Sequence, residues 1–210
     1  MNDTLSNKPQ NPADDVATNT ALRLIVRNVA VLNLSYFGIE FAVALAIGSV
    51  SLFADSVDFL EDGAINLLIL AGLGFTMAQR AKLGMVLALI ILVPSLATLW
   101  TAWQNFTSGL VPAAMPITVT GAGALVVNSI CAWLLAPFRA AGGSLTRAAF
   151  LSARNDVAAN IAIIVAGLLT SVTHSHWPDL IVGLGIAALN AGAAHEVYEA
   201  AREEHAQSRS

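Results

Sequence analysis

Two aspartates inside an apolar stretch are the residues of this sequence whose types and spacing point most directly to chemistry. Asp58 and Asp62 lie in "ADSVDFLEDG", between the apolar runs "IEFAVALAIGSVSLF" and "AINLLILAGLGF". On a helix a four-residue spacing puts both carboxylates on one face, with their Cβ atoms about 5–6 Å apart. Two carboxylates this close repel each other unless a cation or a shared proton lies between them. The pair therefore predicts a cation-binding or proton-binding site.

Asp55 and Glu61 flank this pair, and Asp55 has two interpretations. It is a helix-start acid at the water interface if the helix begins late, or a member of the site if the helix begins earlier. Asp62 lies too far inside the apolar run for the first interpretation. A carboxylate at the centre of a membrane-spanning helix costs roughly 2.5–3.5 kcal/mol on insertion, which favours a functional role for Asp62.

A second polar stripe lies further along the chain, in "AAFLSARNDVAANIAIIVAGLL". Ser152, Asp156 and Asn160 repeat at the same four-residue spacing and share one helical face. We expect this stripe to face the aspartate pair. Arg154 lies about 200° around the helix from Asp156 and is expected to point away from the stripe, since each residue advances by about 100°.

The first apolar segment carries further polar residues. Asn33 and Glu40 are seven positions apart and share a face, so they either line the same cavity or bond between helices. Glu40 is a candidate for tuning the site or for carrying protons. Glu40, Asp55 and Asn160 are therefore candidate auxiliary groups beside the aspartates.

The composition indicates the class of protein. Hydrophobic residues make up 56% of the 210 residues and charged residues 11%, with a mean hydropathy of +0.69. Soluble domains usually carry roughly 25% charged residues, so the sequence predicts an all-α polytopic membrane protein. A net charge of −4 argues against a nucleic-acid partner. The single Cys131 excludes an internal disulfide and a cysteine-based metal motif.

The apolar runs predict six transmembrane helices, at 24–47, 51–77, 83–103, 114–136, 148–172 and 178–198, with a tight hairpin at Gly48 and Ser49. Lys and Arg fall before the first span, after each even-numbered span, and in none of the other three loops. This distribution predicts that both termini are cytoplasmic. The expected organisation is a disordered tail at 1–22, a six-helix domain at 23–200 and a short tail at 201–210.

The motifs together resemble those of the cation diffusion facilitator family. The resemblance rests on "GSVSLFADSVDFLEDG", "LSARNDVAANIAIIVAG" and "WPDLIVGLGIAALNAG". It implies a six-span transporter of the plasma membrane (the inner membrane in a bacterium) that exports divalent metal ions such as zinc, commonly in exchange for protons. It places the metal ligands on Asp58, Asp62, Ser152 and Asp156. No cofactor is expected; the cargo would be Zn²⁺, Mn²⁺, Fe²⁺, Co²⁺ or Cd²⁺, and the other partners are the lipid bilayer and protons.

The sequence departs from the family pattern in two places. Ser152 stands where the family usually has His or Asp, which shifts the expected preference towards harder cations without excluding zinc. The cytoplasmic metal-binding domain typical of the family does not follow the last span, so a homodimer would have to rest on the spans. These departures leave open a non-transporting relative that assists a partner transporter. The acidic residues match no intramembrane enzyme motif, and an enzyme is not expected.

Overall fold

The computed structural model describes residues 12–72, 86, 95–139 and 143–189, and these residues are almost entirely helical. Helix α1 spans Pro12–Ile47 and α2 spans Val50–Gly72. The described part of α3 covers 95–108. Helix α4 spans Ala114–Leu135 and is followed by a 3₁₀ turn, Ala136–Phe138; α5 spans Gly143–Thr173 and α6 spans Trp177–Leu189.

The predicted element types agree with the structure, but several helix ends differ. Helix α1 begins twelve residues before the predicted span, so the prediction of a disordered tail does not hold for residues 12–22. Pro12 suits a helix start, because the first turn does not need its missing N–H. Helix α5 begins five residues early, and α3 continues five residues beyond 103. Some predicted segments lie outside the described residues: parts of the second, third and sixth spans, at 73–77, 83–85, 87–94 and 190–198, and the tail at 201–210.

Helices α1 and α2 form the predicted tight hairpin. Gly48 ends α1 with a φ of 68°, and its N–H donates to Ala44 O at 2.8 Å. Glycine is favoured there because the left-handed conformation strains residues that carry a Cβ. Asn105 of α3 donates from Nδ2 to Gly48 O at 2.8 Å. The hairpin turn is thus held by a side chain from another helix.

Asp179 of α6 accepts hydrogen bonds from the first residues of α2 and the residue before it. Its buried carboxylate accepts hydrogen bonds from Ser49 Oγ at 2.6 Å, Val50 N at 2.7 Å and Ser51 Oγ at 2.5 Å. These donors include a first-turn N–H of α2, which has no partner within its own helix. The negative charge is also favourable at a helix N-terminus. Asp179 is the third residue of α6, yet these hydrogen bonds all go to the start of α2.

Helix α2 lies at the centre of the described bundle. It packs on α1 and α5, while α4 packs on α1 and α5. Every residue from Ser51 to Leu60 is buried. Glycines allow close helix packing: a Cβ on Gly63 would lie 2.7 Å from Leu34 Cδ2, and one on Gly121 would lie 2.9 Å from Ile163 Cγ2. Small residues at such contacts are typical of membrane helices.

A polar layer separates two apolar clusters in this bundle. The first cluster includes Val26, Val29, Cys131, Leu135 and Ala153. The second includes Ala44, Leu52, Phe53, Ile117 and Ile163. Between these positions along the helices, with Ser152 next to Ala153 at the edge, lie the polar side chains that we call the polar layer: Asn33, Glu40, Asp55, Asp58, Asp62, Asn66, Asn128, Ser152, Asp156 and Asn160. The predicted site residues all belong to this layer.

The outer surface of the helices is apolar. Val31, Leu45, Trp133 and Val172 are among its exposed large side chains. Three described segments are long and apolar enough to cross a membrane: Thr20–Ile47, Ala114–Phe138 and Ala149–Thr173. Trp177–Leu189 is a shorter apolar helix. These segments support a multi-pass membrane protein; the count of six spans and the location of the termini remain predictions.

Candidate metal centre

The three aspartates of α2 face the protein interior. Asp58 and Asp62 are 8% and 4% exposed, and Asp55 is fully buried. Their burial follows from the central position of α2, which leaves no lipid-facing side over its first three turns. The interpretation of Asp55 as an acid at the water interface is therefore wrong, because neighbouring helices cover it.

The polar stripe of α5 meets α2 as the spacing predicts. Ser152 Oγ donates to Asp62 Oδ1 at 2.8 Å, although the two residues are 90 positions apart. The Asp156 carboxyl group lies within hydrogen-bonding reach of the same Asp62 side chain. Asp58 interacts electrostatically with Asp156 across the same interface. The structure thus brings together the four residues that the sequence assigned to one site.

The carboxyl groups lie in pairs and do not surround one point. No three Asp, Glu, His or Cys side chains are arranged around a shared position, as metal ligands would be, in the parts of the chain that the structure describes. Asp62 pairs with Ser152 and Asp156. Asp55 pairs with Glu40 of α1 and with Asn160 of α5. Two adjoining carboxyl clusters therefore occupy the polar layer.

Asn160 belongs to the second of these clusters. Its Nδ2 donates to Asp55 Oδ2 at 2.7 Å, and its Oδ1 accepts from Asn128 Nδ2 at 3.0 Å. Both the oxygen and the nitrogen of this amide form hydrogen bonds within the second cluster, beside Asp55. Arg154, which lies between Ser152 and Asp156 in the sequence, is exposed, as its position on the helix predicts.

Some polar residues of α1 form contacts with other helices, and one belongs to a carboxyl cluster. Asn33 Oδ1 accepts from Cys131 Sγ at 3.4 Å, which joins α1 to α4. Tyr36 donates from its hydroxyl to Thr120 O at 2.6 Å, and its ring lies 5.0 Å from that of Phe59. Glu40 contacts Asp55. Asn33 and Glu40, which were predicted to share a face, are both fully buried but contact different helices: Asn33 contacts α4 and Glu40 contacts α2.

Sequence reasoning missed three amides that hold the layer together. Asn128 supports Asn160, Asn66 donates from Nδ2 to Asp62 O at 2.7 Å, and Asn105 fixes the hairpin. The signal was present, because each is a polar residue within an apolar helix. Such residues usually bond between helices, but the sequence does not indicate which helix provides the partner.

The fold and the buried acids define a multi-pass helical membrane protein with a carboxylate centre inside its bundle. Residues 26–202 match the family model of the cation efflux transmembrane domain, and the chain belongs to that family. This match confirms the resemblance found in the sequence. Members of the family are transporters of divalent metal cations and not enzymes. No curated protein matches the chain at a significant level.

Proposed function

We propose that this protein exports a divalent metal cation from the cytoplasm in exchange for protons, and that Asp58, Asp62, Asp156 and Ser152 bind the metal. The hydrogen bond from Ser152 Oγ to Asp62 Oδ1, at 2.8 Å, is the observation that carries the proposal. It joins the two four-spaced pairs of α2 and α5 at one place, with Asp156 beside the same carboxylate.

The ligand set favours hard cations. Three carboxylates and one hydroxyl provide only oxygen atoms, which suit Mn²⁺ and Fe²⁺ better than softer Cd²⁺. Zinc and cobalt remain candidate cargo, because zinc also accepts carboxylate ligands. Binding would draw Asp58 and Asp156 towards Asp62, since a divalent charge replaces the repulsion between the carboxylates with attraction to a common centre.

The same carboxylates suit exchange with protons. Mutual repulsion increases the proton affinity of clustered carboxylates, so one site holds either a metal ion or protons. We propose that the metal enters from the cytoplasmic side, that the helices rearrange, and that protons from outside displace it. The two apolar clusters on either side of the polar layer support this scheme, because they separate the site from both ends of the bundle.

We further propose six spans with both termini in the cytoplasm of a plasma membrane protein. The absence of Lys and Arg from the alternate loops supports this orientation. A homodimer, if formed by this chain, would use the exposed apolar faces of its helices. The alternative function is that of a non-transporting relative, which is favoured by Ser152 in place of a stronger ligand.

Uptake by proteoliposomes tests the proposed function. The purified protein is reconstituted with an internal fluorescent reporter, and Zn²⁺, Mn²⁺, Fe²⁺, Co²⁺ and Cd²⁺ are supplied in turn under a pH gradient. We expect saturable uptake of at least one metal, accompanied by proton movement in the opposite direction. Asp58→Asn and Asp156→Asn should reduce that uptake to the level of empty liposomes.

Glu61→Gln is the matched control, because it also removes one carboxylate from α2 but alters a half-buried residue outside the four-ligand set. Its uptake should stay close to that of the parent protein. Uptake no faster than in empty liposomes for every metal, with the parent protein folded, would overturn the transporter proposal and favour the non-transporting relative.

A further inference from the structure

Glu40 is the most poorly satisfied charged residue in the described bundle. Its side chain is fully buried on α1, about eight residues before the hairpin. Neither Oε1 nor Oε2 accepts a hydrogen bond from any donor group. A buried carboxylate without partners is strongly unfavourable, so its charge requires neutralisation by a cation or a proton.

Asp55 lies beside Glu40 and also has a buried carboxylate oxygen without a hydrogen-bond donor. The two carboxyl groups are within hydrogen-bonding reach of each other. Asp55 Oδ2 accepts from Asn160 Nδ2 at 2.7 Å, whereas Asp55 Oδ1 has no donor. Three carboxylate oxygens of the Glu40–Asp55 pair are therefore buried without a hydrogen-bond donor.

The described helices provide no basic side chain to neutralise the pair. Arg27, the nearest basic residue on α1, is 13 positions from Glu40, a distance of about 20 Å along the helix axis. Neither 50–72 of α2 nor 114–135 of α4 contains a basic residue, and Arg154 of α5 is exposed. The neutralising group must therefore come from outside these helices.

The surrounding donors favour a proton over a metal ion. Asn160 presents its N–H to Asp55, and its oxygen is already occupied by Asn128. An N–H directed at the carboxylate repels a cation but fits a carboxyl pair that shares a proton. A metal ion would also need about four ligands, whereas the pair offers three unpartnered oxygens. A single proton on either residue provides the missing donor for the other.

We propose that Glu40 and Asp55 form a proton-binding site, separate from the metal site, in which one proton is shared between the two carboxyl groups. Binding forms one O–H bond on Glu40 or Asp55 and one hydrogen bond to the other, and changes the charge of the pair from −2 to −1. The hydrogen-bond partners of Asp55 are Glu40 and Asn160, not the proposed metal ligands.

Other titratable groups act on this pair from the helices packed against it. Tyr36 lies on α1, Asp58 and Asp62 lie on α2, and Asp156 lies on α5. Residues 95–108 of α3 and 114–135 of α4 contain no acidic or basic residue, and Asp179 of α6 is engaged with the start of α2. The titratable groups around the pair are thus acidic, and the described helices place no basic side chain among them.

The proton also couples the pair to the metal site, a step that rests on the proposed function. Asp58 interacts electrostatically with both Glu40 and Asp55. A proton on the pair removes one negative charge beside Asp58 and so weakens cation binding there. By linkage, a bound cation weakens proton binding at the pair by the same factor. The pair would thus contribute to metal release when protons arrive.

Infrared spectroscopy of the full chain in lipid nanodiscs tests the proton site without requiring transport. We expect the parent protein at neutral pH to show a protonated-carboxyl C=O stretch that shifts in D₂O. Glu40→Gln and Asp55→Asn should each remove one such band, because the introduced amide supplies the donor and leaves the remaining carboxyl ionised. Glu61→Gln should keep it. A band unchanged in both amide variants would overturn the proposal.

Metal titration of the same samples distinguishes this site from the metal site. Glu40→Gln should bind as many metal ions per chain as the parent, with an affinity that depends less steeply on pH; Glu61→Gln should keep the parent dependence. Loss of one bound metal ion in Glu40→Gln would show a cation at the pair and overturn the proton assignment. If the parent binds no metal, the proposed function fails, and the infrared result alone decides the proton site.

Discussion

At the residue scale, Ser152 distinguishes the proposed metal site from one built with imidazole. Its hydroxyl donates to Asp62 and keeps that carboxylate oriented towards α5. In a metal complex the hydroxyl oxygen would be a weaker ligand than a histidine nitrogen. The three aspartates then provide nearly all of the attraction, and selectivity rests on the preference of each cation for oxygen.

Ser152→His should shift the metal selectivity towards zinc. The imidazole adds a nitrogen ligand, so we expect the ratio of zinc to manganese affinity to rise by about tenfold, which corresponds to about 1.4 kcal/mol. Half-burial of Ser152 leaves space for the larger side chain. Competition titrations with both metals measure the ratio. Ser152→Ala, which removes the hydroxyl without adding nitrogen, should not raise it; an unchanged ratio in a metal-binding histidine variant would contradict the proposed ligand.

At the element scale, the start of α2 is fixed by α6. Asp179 accepts three strong hydrogen bonds from 49–51, and Gly183, one turn later, allows the two backbones to approach. Asp55 and Asp58 follow within two turns of this contact. The placement of Asp55 and Asp58 therefore depends on the position of α6, because hydrogen bonds to Asp179 hold the first turn of α2.

Gly183→Ala should separate α6 from α2. A Cβ at position 183 would lie 2.6 Å from both Ser51 N and Val50 C, and these backbone atoms cannot move aside as a flexible side chain does. We expect a loss of about 1–3 kcal/mol in the free energy of unfolding. Thermal unfolding in detergent measures it. The control is Gly185→Ala, where a Cβ would have nothing within 4 Å; equal effects of both substitutions would contradict the close contact.

At the scale of the whole molecule, the three aspartates of α2 are buried among the described helices, whereas Ser152 and Asp156 of α5 are partly exposed. Apolar clusters lie towards both ends of the bundle, and large apolar side chains cover its outer surface. Access of water to the buried aspartates of α2 from either end of the bundle therefore requires the helices to move relative to one another. This requirement agrees with a transporter, whose site opens to one side of the membrane at a time, and not with a permanently open channel.

Cysteine accessibility should reveal the orientation of the bundle. In a Cys131→Ser background, which keeps a donor for Asn33, Ser108→Cys and Ser175→Cys should react with a membrane-impermeant maleimide in intact cells. Pro137→Cys, exposed after α4, should react only after lysis. These results are expected because the loops near 108 and 175 lack Lys and Arg. The reverse labelling pattern would show that the predicted orientation is inverted.

The sequence alone determined the class of protein and the two four-spaced polar pairs. Mean hydropathy and charge content indicated a membrane protein, and the four-residue spacing placed Asp58 with Asp62 and Ser152 with Asp156. Gly48 predicted the hairpin. These inferences succeed because hydrophobic content and helical periodicity are local properties, so they establish which side chains share a face of one helix.

Only the tertiary structure decided which faces meet. The rotation and depth of each helix depend on packing against its neighbours, and no local pattern encodes them. Asn160 was predicted on the correct stripe, yet its amide donates to Asp55 and not to the proposed metal ligands. Asp179 reaches the start of α2 across 129 positions to Val50. Glu40 is buried like Asn33, as a shared face implies, but its contact with Asp55 depends on how α1 packs against α2.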